Sequence, residues 1–187
     1  MYVIAVASQK GGVGKTTISL NLGLALARAG HRVLILELDA QGSLGLSLGL
    51  ADRARPGVAE LLTGAERLES VLLRTRDPQL QVLTVGRVDP TTVSGFEDAL
   101  ARGPVLPSVL ARLAPDFDLV VVDCPAGLGK VTTRALEVAT HALLPLQAEP
   151  LALRSVGQVL AVIDRVRANF SPFLDDFSLV LPGFCIA

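Results

Sequence analysis

The sequence predicts an α/β fold in which a mostly parallel, twisted β-sheet carries helices on both faces. Runs of β-branched and aliphatic residues alternate along the chain with helical patterns, which is typical of βαβ units. Several of these runs are apolar throughout, as strands covered on both faces should be. A glycine-rich loop joins the first predicted strand to the first predicted helix.

The predicted strands are short runs of mainly aliphatic residues, at 2–7, 32–38, 80–85, 119–123, 142–146 and 177–181. The predicted helices carry apolar side chains three or four residues apart, and they span 16–29, 58–62, 106–113, 131–139 and 151–169. Gly30 is expected to end the first helix. The stretch 87–104 is predicted to be a long connection. Because the chain has 187 residues and no linker or repeat, we expect a single domain over 1–187.

Composition limits the class of protein. Half of the residues are hydrophobic, 19% are charged and the formal net charge is −1, so any contact with DNA must come from a local patch. Cys124 and Cys185 are far apart and have no histidine at ligand spacing, which argues against a zinc or iron–sulfur site. Because the sequence has no signal peptide and no run of 18 apolar residues, we expect a soluble cytoplasmic protein that does not bind membranes.

Residues 10–17, with the sequence KGGVGKTT, form a P-loop pattern that predicts a P-loop NTPase fold. The glycines allow backbone N–H groups to surround an anion, and the following helix adds its N-terminus. Lys15 supplies a positive charge and Thr16 can ligate Mg²⁺. The alternative is a glycine-rich turn with incidental lysines. The predicted phosphate-binding residues are Lys10, Gly11, Gly12, Val13, Gly14, Lys15, Thr16 and Thr17.

Two carboxylates follow predicted strands and should meet the loop at one edge of the sheet. Asp123 ends the apolar run 119–122 and is the candidate metal ligand, although it could instead cap the turn before Pro125. Glu37 and Asp39 form a second acidic cluster at the end of the second strand, which is expected to open onto the same edge. Asp39 could orient the attacking water, or it could cap a following turn. Gly127 could bring its backbone N–H to a γ-phosphate and so sense it.

Four segments in this order carry a family resemblance: 10–17, 39–42, 123–125 and 145–153. Together they resemble the ParA/Soj branch of the deviant Walker A ATPases. The resemblance implies ATP and Mg²⁺ as ligands. It also implies that Lys10 reaches the phosphates of a partner subunit across a nucleotide-sandwich homodimer, while Lys15 serves its own nucleotide. Gly12 would lie where the two loops nearly touch.

The same resemblance implies roles for the remaining site residues. Thr16 would ligate Mg²⁺, Thr17 would bind the α-phosphate, and Asp123 would hold Mg²⁺ through water. Asp39 would position the attacking water. Similar proteins bind nonspecific DNA, which would place the chain at the nucleoid, and they respond to a ParB-like partner. Partition of DNA or positioning of a cargo is then the expected role.

Departures from the family pattern keep two alternatives open: an adaptor or switch that positions a protein cargo without DNA, and a MinD-like regulator. Glu37 and Ala40 stand where ParA proteins usually have Asp and Pro, and residues 125–127 resemble MinD. The chain stops short of the usual family length, so the adenine-packing region and the basic C-terminal helices are expected to be missing. The remaining candidates for DNA contact are Arg74, Arg76, Arg154, Arg165 and Arg167.

Overall fold

A computed structural model describes residues 1–49, 55–146, 152–169, 174 and 176–180. Within these residues one sheet has seven strands, in the order β3-β4-β2-β5-β1-β6-β7. Each neighbouring pair is parallel except β3 and β4, which are antiparallel. The strands are β1 (Tyr2–Ser8), β2 (Val33–Glu37), β3 (Leu73–Arg74), β4 (Leu80–Leu83), β5 (Leu119–Ala126), β6 (His141–Pro145) and β7 (Asp176–Val180).

Helices connect most of the parallel strands. Those in the described residues are α1 (Lys15–Arg28), α2 (Ser43–Ser47), α3 (Val58–Thr63), α4 (Leu68–Val71), α5 (Val93–Ala101), α6 (Val105–Leu113), α7 (Lys130–Val138) and α8 (Ala152–Asn169). The predicted mostly parallel α/β architecture is therefore confirmed.

Two apolar clusters cover the two faces of the sheet. The larger cluster joins β1, β2 and β5 to α5, α6, α7 and α8 through side chains such as Phe96, Leu110 and Ile163. The smaller cluster joins the opposite face to α1. Gly23 lets α1 lie close to β2, because a Cβ at this position would lie 2.7 Å from the Ile35 Cδ1.

The register of the central strands fixes where the polar strand ends meet. Val6 of β1 pairs with Asp123 of β5, and Glu37 of β2 pairs with Asp123 from the other side. The carboxyl ends of β1, β2 and β5 therefore lie side by side at one edge of the sheet. Sequence segments that are more than 80 residues apart come together there, and open α/β sheets bind ligands at this edge.

The structure differs from the sequence-based expectations in its short and irregular elements. The predicted connection 87–104 contains α5, and the segments between β2 and β4 contain α2, α4 and the two-residue strand β3. Gly95 lies inside α5, and a glycine there lowers the helix propensity on which the prediction depended. Residues 147–151, 181 and the chain end, on which parts of the predictions for 145–153, 151–169 and 177–181 fall, lie outside the described residues.

Candidate functional site

The loop between β1 and α1 has the backbone geometry of an anion cradle. Gly12 and Gly14 adopt left-handed conformations with φ of 74° and 90°, which L side chains rarely adopt. Val13 is buried between them and anchors the loop. α1 begins directly after Gly14. The first N–H groups of a helix have no partner within the helix, so those of α1 can bind an anion held by the loop.

The two lysines of the loop occupy different environments. Lys15 is buried, with 7% of its surface exposed, in the first turn of α1. Lys10 lies before the glycines and is exposed. One lysine is therefore part of the cradle and the other stands at the protein surface.

A buried carboxylate lies next to the start of α1. The Thr16 hydroxyl donates a hydrogen bond of 2.7 Å to Asp123 Oδ2, and the Ser19 Oγ lies 3.0 Å from Asp123 Oδ1. Asp123 and Ser19 have no exposed surface. Sequence reasoning missed Ser19, which is one of several small residues on α1. Its spacing of three from Thr16, on the same helix face, was the available signal.

Burial raises the pKa of Asp123, whereas the hydrogen bonds from Thr16 and Ser19 and the charge of Lys15 lower it. A magnesium ion held by these two residues, Thr16 and Asp123, would add a further charge that stabilises the ionised form of Asp123. Magnesium binds oxygen ligands and usually keeps several waters, so one hydroxyl and one carboxylate suit it. In the part of the chain that the structure describes, no group of three His, Cys, Asp or Glu side chains forms another metal site.

Asp39 lies half-buried after β2 and organises a tight turn. Its Oδ1 accepts the Gln41 N–H at 2.9 Å, and its backbone carbonyl accepts the Gly42 N–H at 3.0 Å. Gly42, with φ of 67°, then starts α2. Asp39 therefore caps a turn, as the alternative interpretation expected. The role of Asp39 in positioning water remains a prediction.

Glu37 is not an open carboxylate at the edge of the site, as the sequence suggested. It is fully buried, and its two oxygens accept the N–H groups of Leu44, at 2.7 Å, and Val85, at 3.0 Å. Burial raises the pKa of Glu37 to about 7, although the two backbone hydrogen bonds oppose that rise. Glu37 therefore ties α2 to the end of β4 and fixes the base of the turn that contains Asp39.

Ser8, the last residue of β1, connects the P-loop to the loop after β5. Its carbonyl accepts the Gly127 N–H at 3.0 Å, and its hydroxyl accepts the Lys10 backbone N–H at 3.4 Å. Contact between the Gly127 N–H and a γ-phosphate would require the first of these bonds to break. The phosphate-sensing role of Gly127 remains a prediction, and Ser8 is a residue that sequence reasoning missed.

Cys124 and His141 have structural roles. Cys124 is buried and burial raises its pKa, which makes it an unreactive core side chain. His141 packs edge-on against Tyr2 with ring centroids 6.0 Å apart.

The candidate arginines for DNA contact do not form one patch. Arg74 lies on β3 at one end of the sheet, whereas Arg165 and Arg167 lie on α8, which precedes β7 at the other end. Arg167 donates to the Leu174 carbonyl at 2.9 Å. The side chain of Arg154 lies outside the described part of the structure.

Comparison with known proteins places the chain among ATPases. A family profile described as an AAA domain matches residues 1–175. The chromosome partitioning protein ParA of Caulobacter vibrioides is 36% identical over 97% of the chain and 69% of its own length. The chromosome-partitioning ATPase Soj of Thermus thermophilus is 40% identical over 91% of the chain and 65% of its own length. The chain thus spans about two thirds of the length of these relatives.

Solved structures agree in fold. A Mycobacterium smegmatis protein named cobyrinic acid a,c-diamide synthase, with bound ADP and magnesium, superposes with a TM-score of 0.81 at 38% identity, covering 96% of this chain and 72% of that one. The cell division ATPase MinD of Pyrococcus furiosus superposes with a TM-score of 0.79 at 29% identity, covering 100% and 73% of the two chains. Among the described helices, none has the length and apolar character needed to cross a membrane.

Proposed function

The chain belongs to the ParA/Soj family of P-loop ATPases with an AAA domain, and from this premise we propose that it is a dimerising ATPase that partitions DNA or positions a cargo. In this proposal it binds Mg²⁺-ATP as a single domain over residues 1–187. Two subunits then enclose two nucleotides, and hydrolysis releases the dimer. A ParB-like partner or another cargo adaptor stimulates the hydrolysis.

The site chemistry supports magnesium-assisted hydrolysis. The cradle of residues 11–14 and Lys15 would hold the β- and γ-phosphates, and Thr17 would hydrogen-bond the α-phosphate. Thr16 and Asp123 already lie in contact, so Thr16 would ligate the metal and Asp123 would hold it through water. A metal held by these residues would supply charge that neutralises the phosphates. Asp39 would orient the attacking water from its turn, beside the same phosphates.

The different settings of the two lysines carry the dimer proposal. Lys15 is buried in the cradle, where it can serve its own nucleotide, so a second lysine is not required there. Lys10 is exposed at the protein surface, where a second subunit can approach. A Cβ at Gly12 would meet nothing within 4 Å, so the glycine's own subunit leaves open space there. This space would accept the partner's loop.

DNA contact and nucleoid association are also part of the proposal. They lack the support of a single basic patch, because the candidate arginines lie at opposite ends of the sheet. An ATP-dependent dimer that ignores DNA would be an adaptor that positions a protein cargo, or a MinD-like regulator. The proposed location is the cytoplasm, with nucleoid association only if the dimer binds DNA.

The proposal is tested with the Asp39→Ala variant, in which slowed hydrolysis should trap the ATP state. Its mass is measured by light scattering after size exclusion, with ATP or ADP, and its retention on duplex DNA is measured in parallel. We expect a dimer with ATP only. A monomer under all conditions would exclude the sandwich dimer, and a dimer without DNA retention would favour the adaptor.

A second experiment measures ADP release by the wild-type protein from Mg²⁺-ATP and water alone. Release under these conditions distinguishes ATP hydrolysis from a synthase reaction, which needs a second substrate.

A further inference from the structure

A groove of about 1180 Å³ lies on the α1 face at the β3 end of the sheet. It is enclosed by α1, the residue after α2, and the antiparallel pair β3–β4. Its floor is made of leucines that are buried or half-buried, namely Leu20, Leu24, Leu72, Leu73 and Leu80. Leu48 adds an apolar side chain that is 39% exposed. The groove therefore leaves a patch of apolar surface exposed to water.

Arginines surround this apolar floor. Arg28 comes from the last turn of α1, Arg74 from β3, and Arg76 from the turn after it, while Arg55 lies at the far side. All four are exposed, and none of them has a hydrogen-bonded or ion-paired partner among the residues that the structure describes.

The lining of the groove does not balance this positive charge. Among its described lining residues, the one acidic residue is Asp77, whose Oδ1 accepts the Gln79 N–H at 3.0 Å within its own turn. Four cations around one carboxylate leave a net positive rim above an apolar floor. An occupant that complements this surface must be acidic at its edges and apolar at its centre.

We infer that this groove, lined by Arg28, Arg74, Arg76 and the leucine floor, binds an acidic amphipathic segment of a partner protein. Leucine-type side chains of the segment would cover the floor, and its carboxylates would pair with the arginines, as in helix-in-groove recognition. Duplex DNA fits less well, because its phosphates would satisfy the arginines but would leave the leucines uncovered.

The lining of this groove includes none of the predicted nucleotide-site residues, namely 10–17, Asp39, Asp123 and Gly127. The docking inference does not depend on ATP or on the dimer. Its test is therefore run on the full chain without nucleotide.

Binding is measured by fluorescence anisotropy with a labelled helical peptide of about five turns, with leucines on one face and glutamates elsewhere. We expect an affinity in roughly the micromolar range that falls as salt rises. Arg28→Glu and Arg74→Glu should each weaken binding by about tenfold, and Leu48→Ser should also weaken it. The matched control is Arg112→Glu, an exposed arginine on α6 outside the groove, which should change affinity less than about twofold.

Three results would overturn the inference. The first is equal binding of a scrambled peptide, or of a peptide with lysines in place of the glutamates. The second is an equal loss of affinity in the Arg112→Glu control. The third is displacement of the peptide by duplex DNA that itself loses affinity in Arg28→Glu and Arg74→Glu. ATP turnover of the wild type and of each variant is measured separately. A wild-type chain without turnover would contradict the proposed function, but it would not affect the conclusion on peptide binding.

Discussion

Asp123 Oδ2 accepts the hydroxyl of Thr16 at 2.7 Å, although the two residues are 107 positions apart in the chain. The contact exists because β5 lies beside β1, so that the end of β5 faces the first turn of α1. The hydroxyl of Thr16, which would ligate Mg²⁺, and the carboxylate of Asp123, which would hold it through water, therefore lie together before any metal binds. This preorganisation is the basis for the first prediction.

Asp123→Asn should remove the effect of magnesium on nucleotide binding while keeping the fold. The amide has the shape of the carboxylate and can still accept one of the two hydroxyls, but it lacks the charge that holds Mg²⁺. We expect turnover to fall by on the order of a hundredfold, the scale for one charge-stabilising group. Calorimetric titration of ATP with and without Mg²⁺ checks this. Asp116→Asn, at an exposed carboxylate, is the control, and an undiminished magnesium effect in Asp123→Asn would contradict the prediction.

The burial of Glu37 predicts a pH-dependent stability. Its pKa is about 7 in the folded chain, raised by burial from 4.5. The folded state therefore holds a proton that the unfolded state releases in this interval. The resulting stability is fully present below the unfolded pKa and is lost as pH rises through about 7.

Urea unfolding of wild type and Glu37→Gln, between about pH 5 and pH 8, measures this effect. Relative to the variant, the wild-type free energy of unfolding should decrease with rising pH by up to roughly 3 kcal/mol. Glu97→Gln, at an exposed position on α5, should follow the wild type. Parallel pH curves for wild type and Glu37→Gln would show that Glu37 has an ordinary pKa.

A glycine contact at the end of β4 predicts a stability defect. A Cβ at Gly57 would collide with the carbonyl oxygen of Thr84 and lie 2.6 Å from the Gly86 nitrogen, and both are backbone atoms that cannot rotate away. Gly57→Ala should therefore cost at least the roughly 1–3 kcal/mol typical of overpacking. Gly95→Ala in α5, where a Cβ meets nothing within 4 Å, should instead stabilise by about 0.5–1 kcal/mol. Thermal unfolding of both variants checks the pair, and equal melting temperatures would contradict it.

The sequence was sufficient to predict that the glycine loop and Asp123 lie at one edge of the sheet, because a strand end and a glycine loop have local signatures. The partners that hold them were not predictable from spacing. Ser19 is an ordinary small residue on α1 until β5 is placed beside it, and Ser8 acquires its two bonds only when two loops meet. Glu37 looks like a solvent-facing acid after an apolar run, yet the loop 39–44 and the end of β4 cover it. These roles arise from tertiary contacts that a single sequence does not contain.

We propose that Lys15 serves its own nucleotide and that Lys10 serves the nucleotide of a second subunit. Both roles are tested by measuring nucleotide affinity and ATP-dependent mass together, with Lys10→Ala and Lys15→Ala each introduced into Asp39→Ala. We expect Lys10→Ala to abolish the dimer while monomeric ATP binding stays nearly unchanged, and Lys15→Ala to abolish both. Equal loss of ATP binding in the two variants, or a normal dimer in Lys10→Ala, would contradict the proposal.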